Sequence, residues 1–128
     1  MSTHQLLDTF FNAITDGDID AVVPLYHDEV RVWHNVTNRS IDAAKSLGIL
    51  RYFVRTVSPR RYEMVERRQW PGGALQRHVL HGRIGEQTIC APVCVSFEIR
   101  DGLIAAINEY VDSAAIAAMM PSTAPTSA

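Results

Sequence analysis

The sequence predicts an α+β domain, on three observations. Apolar residues recur at helical spacing from Leu6 to Ile14 and again from Ile41 to Val57. From Arg61 to Val111 the chain instead divides into long strand-like runs separated by turn signals. Its 128 residues are enough for one core and too few for two. Helices packed on one face of a curved, mostly antiparallel sheet are therefore expected, in a single domain over residues 1–120, with PSTAPTSA at 121–128 as a disordered tail.

The elements follow in chain order. Ser2 or Thr3 caps a first helix, with Gln5 three residues after Ser2 as in a capping box, and Leu6, Leu7, Phe10, Phe11 and Ile14 form one apolar stripe. Asp16-Gly17-Asp18 ends it, and Asp18 caps a second short helix through Tyr26, interrupted by Pro24. A strand, VRVWHNV, follows His27 to Glu29. Ser40 begins a third helix that Ser58-Pro59 stops. Gly48 inside it points to close packing there. The runs RYEMVERRQ, ALQRHVLHG, TICAPVCVSFEI and LIAAINEYV are predicted strands, and Arg100-Asp101-Gly102 is the clearest hairpin turn. Asp112 and Ser113 cap a last short helix, AAIAAMM.

Composition narrows the function. A net charge of −2 gives no general attraction for nucleic acid, and the arginines at 51, 55, 60, 61, 67 and 68 are read as a solvated face. Cys90 and Cys94 lie four apart on one predicted strand, about 13 Å from each other, so they cannot pair. With no signal peptide and no apolar run of membrane-spanning length, a cytoplasmic protein with free thiols and no membrane role is expected.

The residue that invites chemistry is Glu109. On a strand it shares a face with Leu103, Ala105, Ile107 and Val111, where an ionised carboxylate is costly unless paired or hydrogen-bonded. His78, between Gln76 and Leu80 on one strand face, carries an imidazole that titrates near neutral pH. Trp33 offers one donor that anchors a water or substrate oxygen or walls a pocket, and His34, expected on the opposite strand face unless a bulge exchanges it with its neighbours, is kept as a lower-ranked orienting residue of the site. Tyr26, Tyr52, Met64 and Phe97 are expected as pocket wall or core. No GxSxG, phosphate-binding glycine loop or HExxH occurs, and no ligand spacing supports a metal.

The stretches FFNAITDGDIDAVVPLYHDEVRVWHN and FEIRDGLIAAINEYVDSAAIAAM resemble the nuclear transport factor 2-like superfamily, particularly its SnoaL-like and limonene epoxide hydrolase-like branches. The resemblance implies a cone-shaped barrel, a strongly bent, mixed and mostly antiparallel sheet wrapped around the N-terminal helices, with a pocket at its open end. It also implies that Glu109 stands where the epoxide hydrolase-like branch has its aspartate base, and His78 where that branch has its acid. Gln76 occupies the place of an orienting arginine, Asn35 is retained as a water-holding residue, and Trp33 replaces a tyrosine. Loss of the Asp-Arg-Asp triad weakens the case for epoxide hydrolysis itself, while a His-Glu pair still supports proton transfer. The ketosteroid isomerase branch fits poorly, because Phe10, Phe11 and Ile14 stand where its helical tyrosine would be. The expectation is a cofactor-independent enzyme, epoxide-hydrolase-like, cyclase-like or isomerase-like, acting on a hydrophobic small molecule and forming a homodimer. The alternative is a non-catalytic ligand-binding or accessory protein of the same fold.

Overall fold

A computed structural model describes residues 1–119, so the expected tail lies outside the described residues. Helix α1 (Thr3–Asp16) begins at the predicted capping box: Ser2 Oγ accepts from the Gln5 amide at 3.1 Å and Gln5 Oε1 from the Ser2 amide at 2.9 Å. Gly17 ends it with φ 77°, a left-handed conformation that glycine adopts without strain. The expected second helix is a 3-10 segment, Ile19–Leu25, capped by Asp18, as suits a seven-residue stretch containing Pro24.

Strand β1 (Tyr26–His34) starts earlier than expected and is followed by a short strand, β2 (Arg39–Ile41). Ser40 thus lies in a strand, and Asp42, whose Oδ1 accepts from the Lys45 amide at 2.9 Å, caps helix α2 (Ala43–Thr56). Gly48 makes no close approach to anything, contrary to expectation, because α2 buries only Ser46 completely. The long strands are β3 (Arg60–Trp70), β4 (Gly73–Ile84), β5 (Gln87–Arg100) and β6 (Leu103–Val111). Asp101 and Gly102 turn β5 into β6 with φ of 56° and 73°, the two positive values that a tight hairpin turn needs. A final 3-10 segment, Ser113–Met119, carries the Asp112 cap, whose Oδ1 accepts from Ala114 N at 2.9 Å.

The six strands form one mixed sheet in the order β2-β1-β6-β5-β4-β3, parallel only between β1 and β6. Strands β2 and β3 end the order without pairing to each other, so the expected barrel is an open cone. Its inner face is covered by α1 and the first 3-10 segment, which bury Leu6, Leu7, Phe10, Ile14, Val22 and Leu25 against Val30, Val95, Phe97 and Ile107. Arg60 fastens both helices: its guanidinium donates to Ile14 O and Val57 O at 2.8 Å and to Val54 O at 3.1 Å. This arginine therefore satisfies helix-end carbonyls and does not belong to a solvated face. Among the described residues, no helix is long and apolar enough to cross a membrane.

Candidate active site

Register determines which side chains meet. In one row across the sheet His34 pairs with Glu109, Glu109 with Val95, Val95 with Gln76, and Gln76 with Arg67. Paired residues project to the same face, and Val95 at 2% exposure marks this face as the inner one. Glu109 and Gln76 are thus two strands apart, about 10 Å along the backbone, with Val95 between them.

Glu109 lies on the inner face, and His34 reaches it there along a regular stretch of strand, with no bulge needed. His34 Nε2 is 3.8 Å from Glu109 Oε1. Since Val30 and Val32 take the core side of β1, period two brings His34 to that side and turns Trp33 to the other. Trp33 packs edge-on against Tyr110 and donates to Asn38 Oδ1 at 3.1 Å, so it does not orient groups around Glu109. Burial raises the Glu109 carboxyl above its ordinary range, and the His34 charge opposes that rise. A third of its side chain (33%) still reaches solvent. The phenols of Tyr62 and Tyr26 are both raised, mainly by burial, and the charge of Glu109 contributes to each.

His78 sits on the far side of Val95, at 2% exposure, with the rings of Tyr62 and Phe11 edge-on at 5.0 and 5.3 Å. Its Nδ1 is 2.9 Å from Gln76 Nε2, and Gln76 Oε1 accepts from Arg67 Nε at 2.9 Å and Nη2 at 2.7 Å. Arg67 also donates to Asp8 Oδ1 at 2.9 Å and to the His4 carbonyl at 3.2 Å, both on α1. Apolar surroundings, with the Arg67 charge adding, lower the His78 imidazole from 6.5 to about 4. It is neutral at pH 7. No hydrogen bond or ion pair joins His78 to Glu109, so the anticipated proton-trading pair is two separate groups facing each other across β5.

A stability profile follows from the depressed imidazole. The unfolded chain takes up a proton near pH 6.5 that the folded protein refuses until about pH 4, so stability is lost as pH falls through that window. Between pH 7.5 and 5 the loss from this group is about 2 kcal/mol. Urea melts of the wild type and His78→Asn should differ by that slope; parallel profiles would contradict it.

The remaining expected residues are placed as follows. Asn35 donates from Nδ2 to Val111 O at 3.1 Å and accepts on Oδ1 from Val111 N at 3.0 Å, acting as a clamp on the end of β6 and not as a free water ligand. Asn35→Ala should cost about 1–2 kcal/mol in chemical denaturation, since it strands both backbone groups of Val111; an unchanged midpoint would show that the clamp is idle. Tyr26 is buried with its hydroxyl 2.9 Å from Ser46 Oγ, and Phe97 is core beneath Phe10 and Phe11. Tyr52 on α2 is 40% exposed and walls neither the site nor a hollow, because α2 turns that side to solvent. Met64, opposite His78 on the edge strand β3, is 46% exposed and sits at a rim. Arg67, which sequence reasoning assigned to a solvated face, is the added member, with a side chain only 4% exposed.

Two hollows of about 350 and 400 Å³ are present among the described residues. The first is lined by His78 and Asn35 together with the outer-row residues Arg77, Cys94 and Tyr110, and the second lies by Arg61, His81 and Arg83; Glu109 lines neither. Among the described residues, no cluster of three or more His, Cys, Asp or Glu side chains is placed to hold a metal ion.

Comparison with known proteins agrees with this architecture. An LEH-like epoxide hydrolase of M. tuberculosis superposes with a TM-score of 0.74 at 22% identity, covering 90% of this chain and 86% of that one. IdmH of Streptomyces antibioticus, a proposed polyketide cyclase, superposes at 0.81 with 13% identity, covering 93% and 98%. PrhC from Penicillium brasilianum gives 0.80 at 13% identity, covering 90% and 83%. At these identities the likeness is one of fold. A comparison with curated protein sequences finds no match. The SnoaL-like domain model matches residues 7–107, most of the α1-to-β6 unit just described, and on that match the chain belongs to the SnoaL-like domain family of the nuclear transport factor 2-like superfamily.

Proposed function

We propose that the protein is a cofactor-independent acid–base enzyme acting on a hydrophobic small molecule, with Glu109 as the base. The carrying observation is the raised carboxyl of Glu109, one-third exposed on the inner face of the sheet between Val95 and His34. A carboxylate whose pKa is lifted toward the working pH is a stronger base than an ordinary surface glutamate and is still ionised often enough to act. Glu109 takes a proton from an acidic C–H of the substrate, and the C–H electron pair moves into an adjacent carbonyl to give an enolate. Return of the proton at another carbon is an isomerisation; attack of the enolate carbon on a second carbonyl of the substrate, whose C=O π pair moves to oxygen and takes the proton, is a ring closure, and neither changes the net proton count.

Epoxide opening fits less well. It needs a proton delivered to the departing oxygen, and an imidazole lowered to about 4 carries almost none at pH 7. A cyclase-like or isomerase-like reaction is therefore preferred, in keeping with the proposed activity of IdmH. A non-catalytic binder is the second reading, favoured by the commitment of both Asn35 and Gln76 to protein partners.

The test uses 2-acetylcyclohexanone, a hydrophobic 1,3-dicarbonyl, in deuterated buffer. Wild-type protein should accelerate deuterium entry at the activated carbon, and Glu109→Gln should not. Equal rates with and without protein would favour the binder.

A further inference from the structure

Across β5 from Glu109, the hydrogen-bond pattern around His78 fixes more than a position. Gln76, at 1% exposure, has its oxygen occupied by two guanidinium N–H groups of Arg67, so the face it turns to His78 is its NH2. An amide NH2 only donates, and His78 Nδ1 at 2.9 Å must accept. In a neutral imidazole the proton is then on Nε2. Among the described residues Nε2 has no hydrogen-bond partner, yet no buried side-chain polar atom lacks one, so Nε2 is an atom that solvent, or a ligand, reaches.

We infer that Arg67, acting through Gln76, locks His78 as its Nε2–H tautomer, giving the site a fixed neutral donor for a carbonyl-type oxygen of the ligand. Arg67 is the positioning residue and His78 the residue that touches the ligand. Rotating the Gln76 amide would set its NH2 against the Arg67 donors, and a half-turn of the imidazole about its own axis would bring the ring carbon Cδ2 to Gln76 in place of Nδ1. Both leave a buried donor or acceptor unsatisfied. Burial and the Arg67 charge keep the imidazole neutral at pH 7, which leaves it one proton to place. A donor that does not give up its proton stabilises an enolate oxygen without quenching it. The ligand class is thus a neutral apolar molecule with a ketone or enol oxygen.

The ligand assignment deepens the acid–base reading of the same site, but the tautomer is measured in resting protein without turnover. Long-range proton–nitrogen NMR of His78 in nitrogen-15-labelled protein should show Nε2 protonated and Nδ1 bare in the wild type and in Glu109→Gln. Gln76→Glu keeps the Arg67 pairing and replaces the donor by an acceptor, so the proton should move to Nδ1. Arg67→Met should give a mixture of both tautomers; if that variant fails to fold, Gln76→Glu decides alone. A wild-type Nδ1–H tautomer, or Gln76→Glu leaving the proton on Nε2, overturns the assignment. With 1-tetralone the His78 Nε2–H resonance should shift, whereas the oxygen-free tetralin should leave it in place; no shift, or equal shifts, refutes the oxygen donor. Failure of these tests leaves the Glu109 chemistry standing. An active Glu109→Gln enzyme leaves the tautomer standing.

Discussion

Glu109→Gln is expected to lower the rate of substrate proton transfer by about 10²–10⁴-fold, the usual contribution of a positioned general base. Glutamine keeps the size and the hydrogen-bonding oxygen of the side chain and removes only its ability to take a proton. The same substitution should raise stability at neutral pH. A carboxyl held above its unfolded value binds its proton more tightly in the folded state, so folding loses stability as pH rises through the interval between the two values. An amide has no such loss, and the advantage of the variant should appear above that interval and vanish below it. Thermal melts across pH alongside the exchange assay give both signs. A variant that is inactive and also less stable at every pH would indicate a structural role for Glu109.

Arg67→Met is expected to destabilise the fold by about 2–3 kcal/mol in urea unfolding, mostly through Gln76. Its oxygen is buried and loses both donors, and an unsatisfied buried acceptor costs about 1–3 kcal/mol. The ion pair to Asp8 adds little, since that carboxylate is half-exposed and water replaces the arginine there. Asp8→Asn should therefore cost well under about 1 kcal/mol. Equal effects of the two substitutions would mean that the guanidinium stabilises α1 at the surface and does little within the sheet.

Much of this arrangement was legible in the sequence. Glu109 announced itself because a period-two count puts a carboxylate among Ala105, Ile107 and Val111, and the sheet places it on the inner face beside Ile107. Gln76 and His78 were legible as a pair because residues two apart on a strand share a face. The exchange of His34 for Trp33 was legible as well: Val30 and Val32 are the apolar members of β1, and the same count reaches His34. There the larger aromatic drew attention that the apolar pattern did not support.

Arg67 was not legible. Counting from Tyr62 by twos gives Met64 and then Glu66, leaving Arg67 outside. The register of β3 against β4 slips between Met64 and Glu66, so that Arg67 pairs with Gln76 and turns inward. No residue in Met64-Val65-Glu66 signals that bulge. Likewise Ser40 and Asp42 are both good caps, and which one starts α2 depends on the pairing of Arg39–Ile41 with β1, a contact made only in the folded sheet.

The proposed chemistry requires Glu109 to be a desolvated carboxyl that solvent still reaches. Carbon-13 NMR titration of its carboxyl in the resting protein tests this most directly. The account predicts a midpoint above the ordinary glutamate value of about 4.3, rising further in His34→Gln, where the opposing charge is gone. A midpoint at or below the ordinary value, unmoved by His34→Gln, would contradict it.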